Sequence, residues 1–176
     1  MTHPWHDVPV GEKAPNEVNV IIEVPRDGVL KYELDKETGL IKLDRVLYSS
    51  VHYPGDYGFV PRTYAPDKDP VDVLIISNFP IFPGVIVKAR PIGVLELFDG
   101  KDRDDKIIAM HSGDPRVNHI KSIKDLSIHR IKEIKHFFEV YKQLQGKKVK
   151  VLSFKGPKEA MKVIKKGIAD YKKKFT

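Results

Sequence analysis

Three carboxylates fall within the six residues Asp67-Lys68-Asp69-Pro70-Val71-Asp72. Two carboxylates about 4 Å apart repel by about 4 kcal/mol at an effective dielectric of about 20. A cation shared between them turns that repulsion into attraction, and hard oxygen ligands suit Mg²⁺ or Mn²⁺. The calcium-binding EF-hand loop also opens Asp-x-Asp, but it needs glycine at its sixth position and glutamate at its twelfth. Here those positions hold Asp72 and Asn78, and no helical pattern leads in. Taken alone, the run reads either as a metal site or as an acidic surface turn.

A second acidic cluster follows: Asp99, Asp102, Asp104 and Asp105, closed by Lys106. Asp99 and Asp104 lie near the end of one expected strand and the start of the next, where strand ends meet across a barrel mouth. The two clusters together point to more than one divalent ion, and therefore to phosphate chemistry. Asp102 and Asp105 also fit a charged loop tip. Lys31, Arg45, Lys106 and Lys142 lie near strand ends or late in a helix. An arginine fork or a lysine point charge suits phosphate oxygens, and the hydroxyls of Tyr53, Tyr57 and Tyr141 can donate to the same oxygens. Tyr141 equally fits the apolar stripe of its helix.

The elements that must position these groups follow from periodicity. Residues 19–24 read as a strand, with Val18, Val20, Ile22 and Val24 on one face and Glu23 on the other. Residues 30–34 and 40–46 read as a hairpin about Asp35-Lys36-Glu37-Thr38-Gly39, with Lys31 and Glu33 sharing a face. The stretch 53–59 reads as turn, because Pro54-Gly55 suits a type II geometry. Further strands are expected at 71–76, 85–97 with a break near Pro91, 106–110 and 148–154. One helix spans 128–145, capped by Ser127 and stopped by Gly146, with Ile131, Ile134, Phe138, Tyr141 and Leu144 as its stripe. A second starts near Pro157 and presents Met161, Ile164, Ile168, Tyr171 and Phe175. Strands first and helices last make an α+β protein, mainly β, most simply a small closed barrel flanked by two helices.

Composition narrows the choices. A chain of 176 residues with an apolar share of 41% is expected to form one domain over 1–176. With no cysteine, zinc-thiolate sites, disulfides and thiol nucleophiles are excluded. The longest apolar stretch is interrupted by Ser77, Asn78, Pro80, Pro83 and Gly84, so it cannot span a membrane. The polar, proline-broken start is no secretory signal, and a cytoplasmic location is expected. The net charge of +7 favours anionic partners.

In order and spacing, the chain resembles the soluble family I inorganic pyrophosphatases of prokaryotic type. The resemblance rests on Glu23 before Pro25, Lys31-Tyr32-Glu33, Asp44-Arg45, Tyr53-Pro-x-x-Tyr57-Gly58, the 67–72 run, Asp99 with Asp104 and Lys106, and Tyr141-Lys142. It covers about residues 5 to 155. It implies a five-stranded barrel of the oligonucleotide-binding type and Mg²⁺-dependent hydrolysis of pyrophosphate, with Mn²⁺ or Zn²⁺ as substitutes. Carried over by position, Asp67, Asp72 and Asp104 hold the activating metals, and Asp99, Asp104 and Glu23 hold those arriving with substrate. Asp69 accepts the proton of the attacking water, and Glu33 orients metal-bound water. Lys31, Arg45, Tyr57, Lys106, Tyr141 and Lys142 grip the phosphates, with Tyr53 in support. The resemblance also implies a homohexamer with His136 in a subunit interface. Asp102 or Asp105 can share the role of Asp104, because the segment is richer in aspartate than the family pattern requires.

Two rivals stand beside this reading. A small basic barrel can bind single-stranded nucleic acid, but an aspartate-lined mouth repels a phosphate backbone. A hydrolase of nucleotides or longer polyphosphates lacks the expected glycine-rich loop and base-stacking pocket. No nucleic acid or membrane partner is therefore expected.

Overall fold

The computed structural model describes residues 2–176. Its strands are β1 (Val18–Val24), β2 (Leu30–Leu34), β3 (Ile41–Val46), β4 (Asp56–Phe59), β5 (Asp72–Ile76), β6 (Ile86–Asp99), β7 (Asp102–Arg103), β8 (Lys106–His111) and β9 (Val149–Lys155). Helix α1 (Ile128–Val140) precedes β9, and α2 (Pro157–Phe175) follows it. The expected barrel is found as a ring of five strands in the order β1-β4-β5-β8-β6, with β6 pairing back to β1. The β5–β8 pair is parallel and the other ring pairs are antiparallel. β2 and β3 form a separate two-stranded hairpin.

The long strand β6 is not broken at Pro91. Its first half pairs with β1 and its second half with β9, so it turns a corner. The register slips against β8 between Pro91 and Gly93. A bulge is where a strand tolerates a residue without an N–H.

The stretch expected as turn holds a full ring strand, β4, between β1 and β5. Gly58 reads as a turn residue but serves close backbone approach: a Cβ there would lie 2.0 Å from the Ile21 carbonyl oxygen.

Both faces of β1 are covered. Val18, Val20 and Ile22 join one core cluster, while Ile21 packs with Trp5, Leu34 and Phe59 in another. α1 is shorter than expected and ends at Val140; a 3₁₀ turn, Gln143–Gln145, carries the chain to Gly146 at φ +73°. Ile134, Phe137 and Phe138 of α1 are buried, whereas Leu144 is 70% exposed because the helix no longer carries it inward. α2 lays Ala160 and Ile164 against the cluster holding Val71, Val73 and Ile107. Burying each large apolar side chain contributes about 1.5–3 kcal/mol, so the two helices fix the strands whose ends carry the acidic groups. Among the described residues, no helix is long and apolar enough to cross a membrane.

Candidate active site

The 67–72 run is held by its own backbone. The Asp67 carboxylate accepts from the Asp69 N–H (3.1 Å), and the Asp69 carbonyl accepts from the Ala65 N–H (2.7 Å). Between the two aspartates, Lys68 takes φ +73°, a left-handed conformation that costs a non-glycine residue about 1 kcal/mol. The loop is pinned from below by Thr63, whose hydroxyl accepts from the Val71 N–H (2.9 Å) and donates to the Val60 carbonyl (2.6 Å). Asp72 then opens β5, and its register partner in parallel β8 is Lys106. Asp104 lies two residues before that lysine.

The result is a convergence of charge. Asp67, Asp72 and Asp104 each offer an oxygen, and these all lie within 4.8 Å of one another. The Lys106 ammonium lies 2.5 Å from Asp72 and 2.5 Å from Asp104. Lys142 pairs with Asp99, and Lys31 pairs with Glu33 (2.8 Å) and Asp44 (3.3 Å). Glu23 is buried on β1, where it accepts from the Leu34 N–H (2.7 Å). A cavity of about 590 Å³ gathers these groups, lined by ten carboxylates and five lysines. A carboxylate excess inside a chain of net charge +7 is a local demand for cations.

The proton affinities show the same imbalance. Burial, reinforced by Asp72, pushes the Glu23 carboxyl up to about 8. Burial, with Asp72 and then Asp104, raises Asp67 well above the usual carboxylate range. Burial alone would lower the Lys106 ammonium, but Asp72 and Asp104 outweigh it and raise it well above its ordinary value. Lys31 and Lys142 are raised in the same way, against burial, by Glu33 and by Tyr141 with Asp99. All three lysines therefore stay charged at neutral pH. Burial raises the Tyr57 and Tyr53 phenols, which stay protonated and able to donate.

Hard carboxylate oxygens at this spacing suit a divalent ion of the Mg²⁺ kind, and fixed ammonium groups beside them suit phosphate oxygens. The inorganic pyrophosphatase family model matches residues 20–172. The chain belongs to the inorganic pyrophosphatase family. It is 48% identical over 174 residues to soluble inorganic pyrophosphatase 2 of Chlamydomonas reinhardtii, covering 99% of this chain and 91% of that one. It is 51% identical over 162 residues to soluble inorganic pyrophosphatase 5 of Arabidopsis thaliana, covering 92% and 75%. The crystal structure of the inorganic pyrophosphatase from Thermus thermophilus superposes with a TM-score of 0.94 at 45% identity, covering 97% of this chain and 99% of that one. The ring of strands is thus the OB-like fold of the inorganic pyrophosphatases.

Within this pyrophosphatase cavity the structure gathers Glu23, Lys31, Glu33, Tyr57, Asp67, Asp69, Asp72, Asp99, Asp104, Lys106, Tyr141 and Lys142. Arg45 and Tyr53 are not among its lining residues. Arg45 pairs with Asp44, which also holds Lys31, and Tyr53 is buried against Tyr57 and Phe137. Asp102 lines the cavity, whereas Asp105 turns to Arg103 (2.6 Å) and the Leu97 N–H (3.2 Å). Sequence reasoning missed Asp35, Lys36, Glu37 and Lys42, which line the cavity from the β2–β3 hairpin. Their one signal was the sharing of a face by Lys31 and Glu33, which aims that hairpin at the site.

Proposed function

We propose that the protein hydrolyses inorganic pyrophosphate to two orthophosphates with Mg²⁺. The observation that carries this is the meeting of Asp67, Asp72 and Asp104 oxygens within 4.8 Å, beside the buried Lys106, in a chain of this family. Asp67, Asp72 and Asp104 would hold the activating ions, and Asp99, Asp104 and Glu23 those that come with substrate. Bound there, Mg²⁺ supplies charge neutralisation and lowers the pKa of coordinated water.

The chain's own residues supply the rest. Lys31, Lys106 and Lys142 grip the phosphate oxygens, and Arg45 holds Lys31 in place through Asp44. Tyr57 and Tyr141 donate hydroxyl hydrogens to the same oxygens, and Tyr53 packs beneath Tyr57. Glu33 orients water at the site. Asp69, next to the metal-holding carboxylates but outside their cluster, accepts the proton of the attacking water. The water oxygen bonds to one phosphorus, the bridging P–O bond breaks, and the second phosphate departs with the bond's electron pair. No covalent enzyme intermediate is needed.

A nucleic-acid-binding role is disfavoured, because the cavity holds twice as many carboxylates as lysines. The functional unit is proposed to be a homohexamer, with His136 in an interface. The test is phosphate release from pyrophosphate against ATP, with and without Mg²⁺. Metal-dependent turnover strongly favouring pyrophosphate is expected. Equal rates on ATP, or turnover untouched by chelator, would remove the assignment.

A further inference from the structure

Lys36 sits at the tip of the β2–β3 hairpin, in a turn whose lysine would ordinarily be read as solvated. Its ammonium instead crosses the cavity mouth to pair with Oδ1 of Asp69 and approaches the Lys68 carbonyl at 3.5 Å. The same ammonium lies 6.0 Å from the centre of the Trp5 ring. Its backbone carbonyl accepts from His3 Nε2 at 3.1 Å. The turn is therefore held from the N-terminal segment at both main chain and side chain.

Trp5 also holds the other side of this pair. Its indole N–H donates to the Thr63 carbonyl (2.8 Å), and its own carbonyl accepts from the Arg62 N–H (2.8 Å). Thr63 is the residue whose hydroxyl clamps Val60 and Val71 on either side of the acidic loop. One buried aromatic ring, 3% exposed, is thus the common footing of Lys36 and of the loop that carries Asp69.

We propose that Lys36 is a positioning residue for Asp69: it holds one carboxylate oxygen so that the other faces the attacking water. The proposal rests on Asp69 being the proton acceptor. Lys36 and Asp69 are about half exposed as side chains, at 49% and 45%. Ion pairs this open contribute little to stability, so folding does not explain the contact. A carboxylate held by one oxygen loses rotational freedom about its last torsion, and misplacing a reacting group by about 1 Å can cost up to about 100-fold in rate.

The experiment is a double-mutant cycle on pyrophosphate hydrolysis at saturating Mg²⁺, using Lys36→Gln, Lys36→Arg and Asp69→Asn. Lys36→Gln should lower kcat by about 10-fold with KM and thermal midpoint unchanged, a loss within the range for mispositioned groups. Lys36→Arg, which keeps the charge and reach, should restore most of it. In the Asp69→Asn background, Lys36→Gln should cost nothing more, because the group it positions is gone. An equal loss in both backgrounds, an effect on KM alone, or no effect of Lys36→Gln would each overturn the proposal. Full activity in Asp69→Asn would overturn the base assignment itself, which is a separate result from an inactive Asp69→Asn beside an undisturbed Lys36→Gln.

Discussion

Asp72 and Lys106 open the two strands of the ring's parallel pair as direct register partners, and their charges meet at 2.5 Å. Parallel pairing puts both strand starts at the same end, so it delivers a carboxylate and an ammonium to one side of the cavity. The same ammonium reaches Asp104. Lys106 thus neutralises two of the three carboxylates that would hold metal, and ion and lysine compete for the same negative charge. Lys106→Met should destabilise the metal-free protein by about 3 kcal/mol, because removing one partner of a buried pair strands the other. Added Mg²⁺ should recover more stability in the variant than it adds to wild type. Denaturant melts with EDTA and with Mg²⁺ measure both, and an equal Mg²⁺ increment in the two proteins would show that lysine and ion do not compete.

Asp69→Asn separates chemistry from structure. Its side chain is partly exposed and makes no contribution to the core. Loss of a general base lowers the rate by about 10²–10⁴-fold, so kcat should fall at least about 100-fold while the melting midpoint holds. Steady-state phosphate release with paired calorimetric scans would decide it. Near-native turnover in the variant excludes Asp69 as the proton acceptor.

The acidic site was legible in the sequence because its chemistry conflicts with ordinary folding. Asp67, Asp72 and Asp104 repel one another without a cation, and β1 and β2 carry period-2 patterns that place Glu23, Lys31 and Glu33. What escaped was set by backbone approach and by reach. Gly58 looks like a turn residue until the Ile21 carbonyl is placed against it. Phe137 fell outside the expected stripe because α1 is gripped on a wider face, where Phe137 lies 4.7 Å from Tyr53 and 5.1 Å from Tyr141 between ring centres. Lys36 could not be told from a solvated turn lysine, since its partners His3, Trp5 and Asp69 are distant in sequence.

Gly58 gives a test of the fold independent of the chemistry. It does not line the cavity, yet a methyl there would overlap the β1 backbone at Ile21. The obstacle is main chain and cannot rotate away, so β1 and β4 would have to part and take Tyr57 and Glu23 with them. Gly58→Ala should cost at least about 3 kcal/mol, in the range of severe overpacking, and should lower activity by displacing the cavity wall. Urea unfolding measures the first; a variant as stable as wild type would mean that the β1–β4 register differs from the one described.

Glu23 makes the metal-free protein sensitive to alkali. Its carboxyl sits at about 8 in the fold against an ordinary 4.5, raised by burial and then by Asp72. A raised carboxyl stabilises the fold fully below the unfolded value, and that contribution is lost as pH climbs through the folded one, at up to about 1.4 kcal/mol per unit for one proton. Asp67, raised by burial and Asp72, adds in the same direction. His6, lowered by burial, acts oppositely but only below 6.5, and the lowered Asp44 acts only in acid; Asp105, raised by burial, acts in the same direction as Glu23 and Asp67. EDTA-treated protein should therefore lose stability from pH 7 to 8. Mg²⁺ favours the ionised carboxylates, so its binding at pH 7 should release about one proton or more, and at pH 9 close to none. Titration calorimetry in buffers of different ionisation enthalpy reads that number directly. Zero release at pH 7 would mean that Glu23 and Asp67 are already ionised in the metal-free protein, and that the cavity's lysines satisfy its carboxylates without help from an ion.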